Sequence, residues 1–119
     1  MAKILVIDDS LFMRMQVKEI LQGAGHQVEE AANGEEGLEQ AAASTPEVII
    51  LDLLMPGLSV EEVLAELRQQ GIETPVIVHT ADIQESTRQK CLDLGARAFL
   101  NKPPNEDELL AALRELNLV

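Results

Sequence analysis

Three short aliphatic runs, Lys3–Ile7, Glu47–Leu51 and Pro75–Val78, show no alternation of apolar with polar residues. A strand with one face in water alternates, whereas a strand covered on both faces does not. These runs therefore belong in the middle of a sheet with helices above and below it. Weaker strands fit Gln27–Ala31 and Ala98–Leu100. Between the strands, apolar residues recur at helical spacing. The stripes are Leu11, Met15, Val17, Ile20 and Leu21; Leu38, Ala41 and Ala42; Val63, Leu64 and Leu67; Cys91, Leu92 and Leu94; and Leu109, Leu110, Leu113 and Leu116. Asn33 with Glu36, Ser59 with Glu62, Asp82 with Glu85, and Asn105 with Glu108 read as capping boxes at helix starts. Gly25, Gly71 and Gly95 stand where helices should stop. Strict alternation of five strands with five helices predicts an α/β fold, with a parallel sheet doubly wound through right-handed crossovers.

The length of 119 residues fits one domain, and 46% hydrophobic residues suffice for a core without disulfides or structural metal. Twenty-one acidic residues against nine basic ones give a net charge of −12. Such a surface repels nucleic acid and anionic lipid, so neither is an expected partner. The longest apolar stretch, Val48 to Met55, is interrupted by Asp52 and falls far short of the ~20 residues of a membrane span. Lys3, four apolar residues and two aspartates do not make a signal peptide. The single cysteine, Cys91, forms no internal bridge and fits a reducing cytoplasm. With no Trp or Tyr and only Phe12 and Phe99, stacking on bases, sugars or flavins has little to work with.

In doubly wound sheets ligands bind beyond the carboxyl ends of the strands. The first strand ends in Asp8-Asp9, the third in Asp52, the fourth runs into His79-Thr80, and Lys102 lies just past the fifth. Each has an ordinary reading alone: a helix cap for Asp8 or Asp9, a strand-end threonine, a solvated lysine. Asp52 is different, because a loop follows it, Leu53-Leu54-Met55-Pro56-Gly57, and apolar residues flank it on both sides. If these strand ends converge, carboxylates ~4 Å apart repel by roughly 4 kcal/mol per pair at an effective dielectric of ~20. A hard divalent cation relieves that, and oxygen donors favour Mg²⁺. A carboxylate, a cation site, an ammonium and a hydroxyl around one pocket are the parts of phosphoryl transfer to aspartate.

Asp8-Asp9, Asp52 with Met55-Pro56-Gly57, Thr80-Ala81 and Lys102-Pro103 stand in an order and spacing that resembles the response regulator receiver domains of two-component systems. The resemblance spans the whole chain, and Asp8-Asp9-Ser10 with Met13-Arg14 is similar to the chemotaxis (CheY-like) branch. It implies the flavodoxin-like strand order 2-1-3-4-5, the order for which the chemotaxis regulator is itself a standard example. It also implies Asp52 as phosphoacceptor from a phosphohistidine of a sensor histidine kinase or phosphotransfer protein. Asp9, Asp52 and the backbone carbonyl of Leu54 would hold Mg²⁺ or Mn²⁺, with Asp8 acting through a water. Lys102, Thr80 and the Ala81 backbone N–H would contact the phosphoryl oxygens, and Thr80 and Phe99 would form the switch. A cis Lys102-Pro103 bond is expected on the same ground. The resemblance implies a signalling phosphoacceptor that promotes only its own phosphorylation and dephosphorylation, not an enzyme acting on other molecules.

After Met55-Pro56-Gly57 the family commonly continues Asp-Gly, whereas this chain continues Leu58-Ser59-Val60. Leu54, two residues after the acceptor, cannot orient a hydrolytic water; Asp82, two after Thr80, could. Only Asn117-Leu118-Val119 follow the fifth helix. The chain therefore reads as a single receiver domain over 1–119 without an output domain, its signal leaving by protein contact. The face of the fourth helix, fifth strand and fifth helix is the expected partner surface, carrying Arg88, Lys90, Arg97 and Lys102. Chemotaxis or motility signalling is one setting, and a relay shuttle or phosphate sink between histidine proteins is the alternative. A phosphatase of the haloacid dehalogenase type is remote, since Leu54 replaces its second acid and the chain leaves no room for a cap domain. His79 reads as a buried structural histidine, and Cys91 as a small hydrophobe on its helix.

Overall fold

The computed structural model describes residues 2–53 and 56–118. Its elements alternate as β1 (Lys3–Ile7), α1 (Leu11–Gly23), β2 (Gln27–Ala31), α2 (Gly34–Ser44), β3 (Val48–Leu51), α3 (Val60–Gln69), β4 (Val76–Thr80), α4 (Glu85–Asp93), β5 (Ala98–Asn101) and α5 (Glu106–Glu115). The strands form one sheet of order β2-β1-β3-β4-β5, every pair parallel. This is the flavodoxin-like, CheY-like arrangement expected from the alternation and the resemblance together.

Each face of the sheet has its own core. Ile4, Val6, Val48, Ile50 and Ile77 pack against Val17 and Leu21 of α1 and Leu109 and Leu113 of α5. Leu5, Ile7, Ile49 and Leu51 pack against Leu38 and Ala41 of α2 and Val63 and Leu67 of α3. A smaller cluster of Val78, Cys91 and Ala96 seats α4, with Phe99 against it. Alternate residues of one strand serve opposite faces, which is why the central runs had to be continuously apolar. Gly37 permits the tightest of these contacts: a Cβ there would come within 2.4 Å of the Ile7 side chain.

Several boundaries depart from the expectation. β4 continues through His79 and Thr80, and β5 through Asn101. On α1, Leu11 and Met15 are exposed at 60% and 58%, beside Phe12 at 65%. At ~100° per residue, Leu11 and Met15 stand about 120–160° around the helix from Val17, so they never belonged to its buried stripe. Ala42 is likewise exposed. Of the four expected capping boxes, only Ser59–Glu62 is reciprocal. Asn33 and Asn105 accept from the Glu36 and Glu108 N–H groups, without the glutamates reaching back. Asp82 does not cap α4, which begins after Gln84; its carboxylate accepts from the Gln84 N–H instead. Ser10, not an aspartate, caps α1 by accepting from the Met13 N–H. Lys102-Pro103 is cis, and Gly25, Gly71 and Gly95 all take positive φ.

Candidate functional site

Alternation carries Ile4 and Val6 to Asp8, Val48 and Ile50 to Asp52, and Ile77 to His79, all on the face shared with α1 and α5. Asp8 and Asp52 are therefore buried at the sheet's carboxyl edge, exposed by only 3% and 4%. Asp9 turns outward and is exposed. One carboxylate oxygen from each of the three lies within 4.8 Å of the others. Lys102 reaches in from beyond β5, its Nζ 2.8 Å from Asp8 Oδ2 and 3.3 Å from Asp52 Oδ2. Burial disfavours the Lys102 charge, but the hydrogen bond it donates to Asp8 and the field of Asp52 outweigh that and raise its pKa above the ordinary lysine value. Two buried carboxylates thus share the Lys102 ammonium, with the Asp9 carboxylate beside them. An all-oxygen donor set with uncompensated negative charge, one member open to solvent, fits a hard divalent cation.

Asp8 is fixed at every polar atom. Its N–H donates to the Ala31 carbonyl (3.1 Å) and its Oδ1 accepts from the Ser10 N–H (2.9 Å). Its carbonyl accepts from the Arg14 guanidinium.

The β4 side is organised differently. Thr80 is wholly buried, and its hydroxyl oxygen accepts from the Asp82 N–H at 3.2 Å, which leaves the hydroxyl proton available to a ligand. The Asp82 carboxylate accepts from the Gln84 N–H and the Thr87 hydroxyl, both at 2.9 Å. From β5, the Asn101 amide donates to the carbonyls of Asp82 (2.8 Å) and Thr80 (3.3 Å). The Lys102 N–H also donates to the Thr80 carbonyl, at 2.8 Å. Ala81 is exposed at the head of this loop, and Phe99 is half-buried beside Val78.

His79 lies 4% exposed on the acidic side of the sheet. Burial, and then the Lys102 charge, lower its pKa to about 4 against the opposing pull of Asp8, so it is neutral at pH 7. That agrees with a structural histidine.

The structure brings together Asp8, Asp9, Asp52 and Lys102, with Thr80 and Ala81 on the adjoining strand end. Leu54, whose carbonyl was expected to complete the metal site, lies outside the described residues together with Met55. Of the expected basic face, Arg88, Lys90 and Arg97 are exposed, whereas Lys102 is not. Lys102 is turned into the site at 12% exposure, Arg88 pairs with Glu85 at 3.1 Å, and Lys90 pairs with Glu61 at 2.7 Å. The sequence points to Arg14 only through the branch resemblance and to Asn101 not at all. Arg14 reaches back six residues within the β1–α1 turn, whereas Asn101 meets partners 19 and 21 residues away because β5 lies beside β4.

The sequence profile of the response regulator receiver domain matches residues 4–114. Response regulator MprA of Mycolicibacterium vanbaalenii is 40% identical over 114 residues, 96% of this chain and 49% of MprA. Transcriptional regulatory protein DltR of Streptococcus agalactiae is 35% identical over 112 residues, 94% of this chain and 50% of DltR. This chain thus spans about half the length of the curated relatives it matches. Among solved structures, the Vibrio cholerae chemotaxis protein CheY4 is similar with a TM-score of 0.89 at 36% identity, covering 98% of both chains. A Francisella response regulator receiver domain is similar with a TM-score of 0.89 at 31% identity, covering 98% of this chain and 96% of that one. This chain belongs to the response regulator receiver domain family.

Proposed function

We propose that Asp52 is the phosphoacceptor of this receiver domain, taking a phosphoryl group from a phosphohistidine on a histidine kinase or phosphotransfer protein. The observation that carries this is the Lys102 ammonium set between two buried carboxylates, with the exposed Asp9 beside them. An Asp52 carboxylate oxygen attacks phosphorus; the new O–P bond forms as the P–N bond breaks, and the electron pair returns to the imidazole nitrogen, which gains a proton. Asp8, Asp9 and Asp52, with the Leu54 carbonyl, would hold Mg²⁺ or Mn²⁺. Such an ion, when bound, withdraws charge from the phosphoryl oxygens. Lys102 balances the oxygens' remaining charge, and the Thr80 hydroxyl and Ala81 N–H donate to them. Drawing Thr80 toward the phosphoryl group requires it to release the Asp82 N–H, and Phe99 lies against the strand that carries it.

Exposed Leu11, Phe12 and Met15 on the first turns of α1, directly after Asp9, offer a docking protein an apolar surface at the mouth of the site. The domain's output is contact with a protein rather than with nucleic acid, consistent with the charge of −12. The face of α4, β5 and α5 serves it through shape and apolar contact, since most of its basic groups are already paired. Similarity to a chemotaxis protein at 36% identity supports a cytoplasmic regulator of the chemotaxis type. A longer protein of the DltR kind would instead pass the signal to an attached output.

A relay or sink has its own support. The Asp82 carboxylate already accepts from Gln84 and Thr87, and Leu54 is apolar, which limits what either position offers a water beside a phosphorylated Asp52. A long-lived phosphoaspartate suits passage to a second histidine protein.

Intact mass after incubation with acetyl phosphate tests the acceptor. The expected result is a Mg²⁺-dependent gain of one phosphoryl group (about 80 Da) on the acceptor carboxylate, absent in Asp52→Asn. No gain in wild type, or an unchanged gain in the variant, overturns the assignment.

A further inference from the structure

We propose that Arg14 is a positioning residue for the acidic centre, setting the peptide between Asp8 and Asp9 so that both carboxylates face one divalent cation. This rests on the cation-dependent acceptor reading above and extends it to a residue that touches neither phosphoryl group nor metal. Arg14 lies in the opening turns of α1 with a side chain only 13% exposed. One end of its guanidinium donates to the carbonyl of Asp8, and its Nε donates to Glu30 Oε1 at 3.1 Å. Glu30, on β2, takes Lys18 Nζ on its other oxygen at 3.1 Å. The helix does not need this tie to stay on the sheet, because Val17 and Leu21 already bury it.

What the tie does hold is specific. The Asp8 carbonyl belongs to the peptide plane whose nitrogen is that of Asp9. Fixing the plane fixes the N–Cα bond of Asp9, the axis about which its exposed side chain is carried, while Ala31, Ser10 and Lys102 fix Asp8 itself. A rigid guanidinium fork can span a carbonyl and a carboxylate at set angles, whereas a lysine ammonium is a single point on a flexible stem. Glu30 completes the device electrostatically. Burial alone would raise its pKa, but Lys18 and Arg14 hold it below the usual carboxylate range. It stays charged and cancels the guanidinium, which would otherwise repel an incoming cation.

The test is Mg²⁺ affinity by isothermal titration calorimetry on wild type, Arg14→Ala, Arg14→Lys, Glu30→Gln and Lys18→Ala. Leu113→Ala serves as a control that loosens the same core away from the centre. Outer-shell partners of metal ligands typically govern ten- to hundredfold in affinity, so Arg14→Ala is expected to weaken Mg²⁺ binding about tenfold and Glu30→Gln about threefold. Arg14→Lys recovers only part of the loss, because it cannot make both contacts. Lys18→Ala and Leu113→Ala stay within about twofold of wild type whatever they do to the melting temperature. Without metal, hydrogen exchange at the Ser10 amide, held by Asp8 Oδ1, quickens in Arg14→Ala and not in Lys18→Ala. An Arg14→Ala affinity equal to wild type, or a loss matched by Leu113→Ala, overturns the proposal. If Arg14→Ala does not fold, Glu30→Gln decides, and an affinity equal to that of Lys18→Ala is the overturning result. Wild type that binds no Mg²⁺ overturns the acceptor reading and this inference together, whereas wild-type binding with insensitive variants removes the role of Arg14 alone.

Discussion

The two halves of the site are held by different kinds of force. At the ends of β1 and β3, Asp8 and Asp52 are buried, charged and tied to Lys102, and Asp8 has a partner for every polar atom. At the ends of β4 and β5, Thr80, Asp82, Thr87 and Asn101 are joined mainly by hydrogen bonds with at least one neutral partner, in a loop that is half exposed. Buried charge is costly to rearrange, whereas a hydrogen bond between neutral groups is worth only about 0.5–1.5 kcal/mol net and can be exchanged for another. One half is built to stay in place while something binds to it. The other is built from contacts that can be traded when it does.

The sharpest way to break this contrast is Lys102→Met. Removing one member of a buried ionic cluster leaves the carboxylates uncompensated, and about 3–5 kcal/mol of stability should disappear from metal-free urea unfolding. Mg²⁺ should restore part of it, because with one resident cation fewer the divalent ion binds more tightly. Unchanged stability without metal would mean that the acidic half is not held by charge.

His79 gives the next largest effect. Its folded pKa of about 4 lies below the unfolded value of 6.5, so between those values the unfolded chain binds the extra proton. Stability from this group is complete above pH 6.5 and drains away as pH falls toward 4, by about 3 kcal/mol. Urea titrations of wild type and His79→Val should diverge in slope over that window; parallel profiles would remove the histidine from the acidic half's account.

On the other side the expected effects are smaller. Asn101→Ala removes two donated bonds and should cost about 1–2 kcal/mol, with faster amide exchange confined to 80–84. A loss as large as that of Lys102→Met would make the halves equivalent. The smallest effect is reserved for Asp82→Asn, which should leave the lifetime of phosphorylated Asp52 within about twofold, since the carboxylate is spent on its own loop. A severalfold change would return Asp82 to the water-orienting role that its position in the sequence allows.

The same contrast runs through what could be read from sequence. Strand-end aspartates were legible because a continuous apolar run forces its terminal charged residue to the edge of a covered sheet. Their meeting with Lys102 followed from the parallel order that the resemblance supplied. The start of α4 differs from its sequence pattern. Asp82 followed by Glu85 looks like a capping box, but the carboxylate folds back on Gln84 and Thr87, a choice between two local hydrogen-bond patterns that spacing alone does not decide. Leu11 and Met15 were counted into the stripe of α1 because period was matched without phase. Lys102 is expected both in the site and on the partner face, and the structure turns it into the site. Arg14 and Glu30, sixteen residues apart, meet only because β2 lies next to β1.

Gly37 gives the molecule a mechanical direction. Helix α2 rests on Ile7 so closely that even a methyl group has no room, and Ile7 is the residue before Asp8. The face of β1 opposite the Asp8 side chain is therefore packed without slack, whereas the ends of β4 and β5 carry an exposed loop and exchangeable bonds. A Gly37→Ala change is therefore expected to disturb Ile7 and, next to it, Asp8, with the adjustment taken up more readily on the β4 and β5 side.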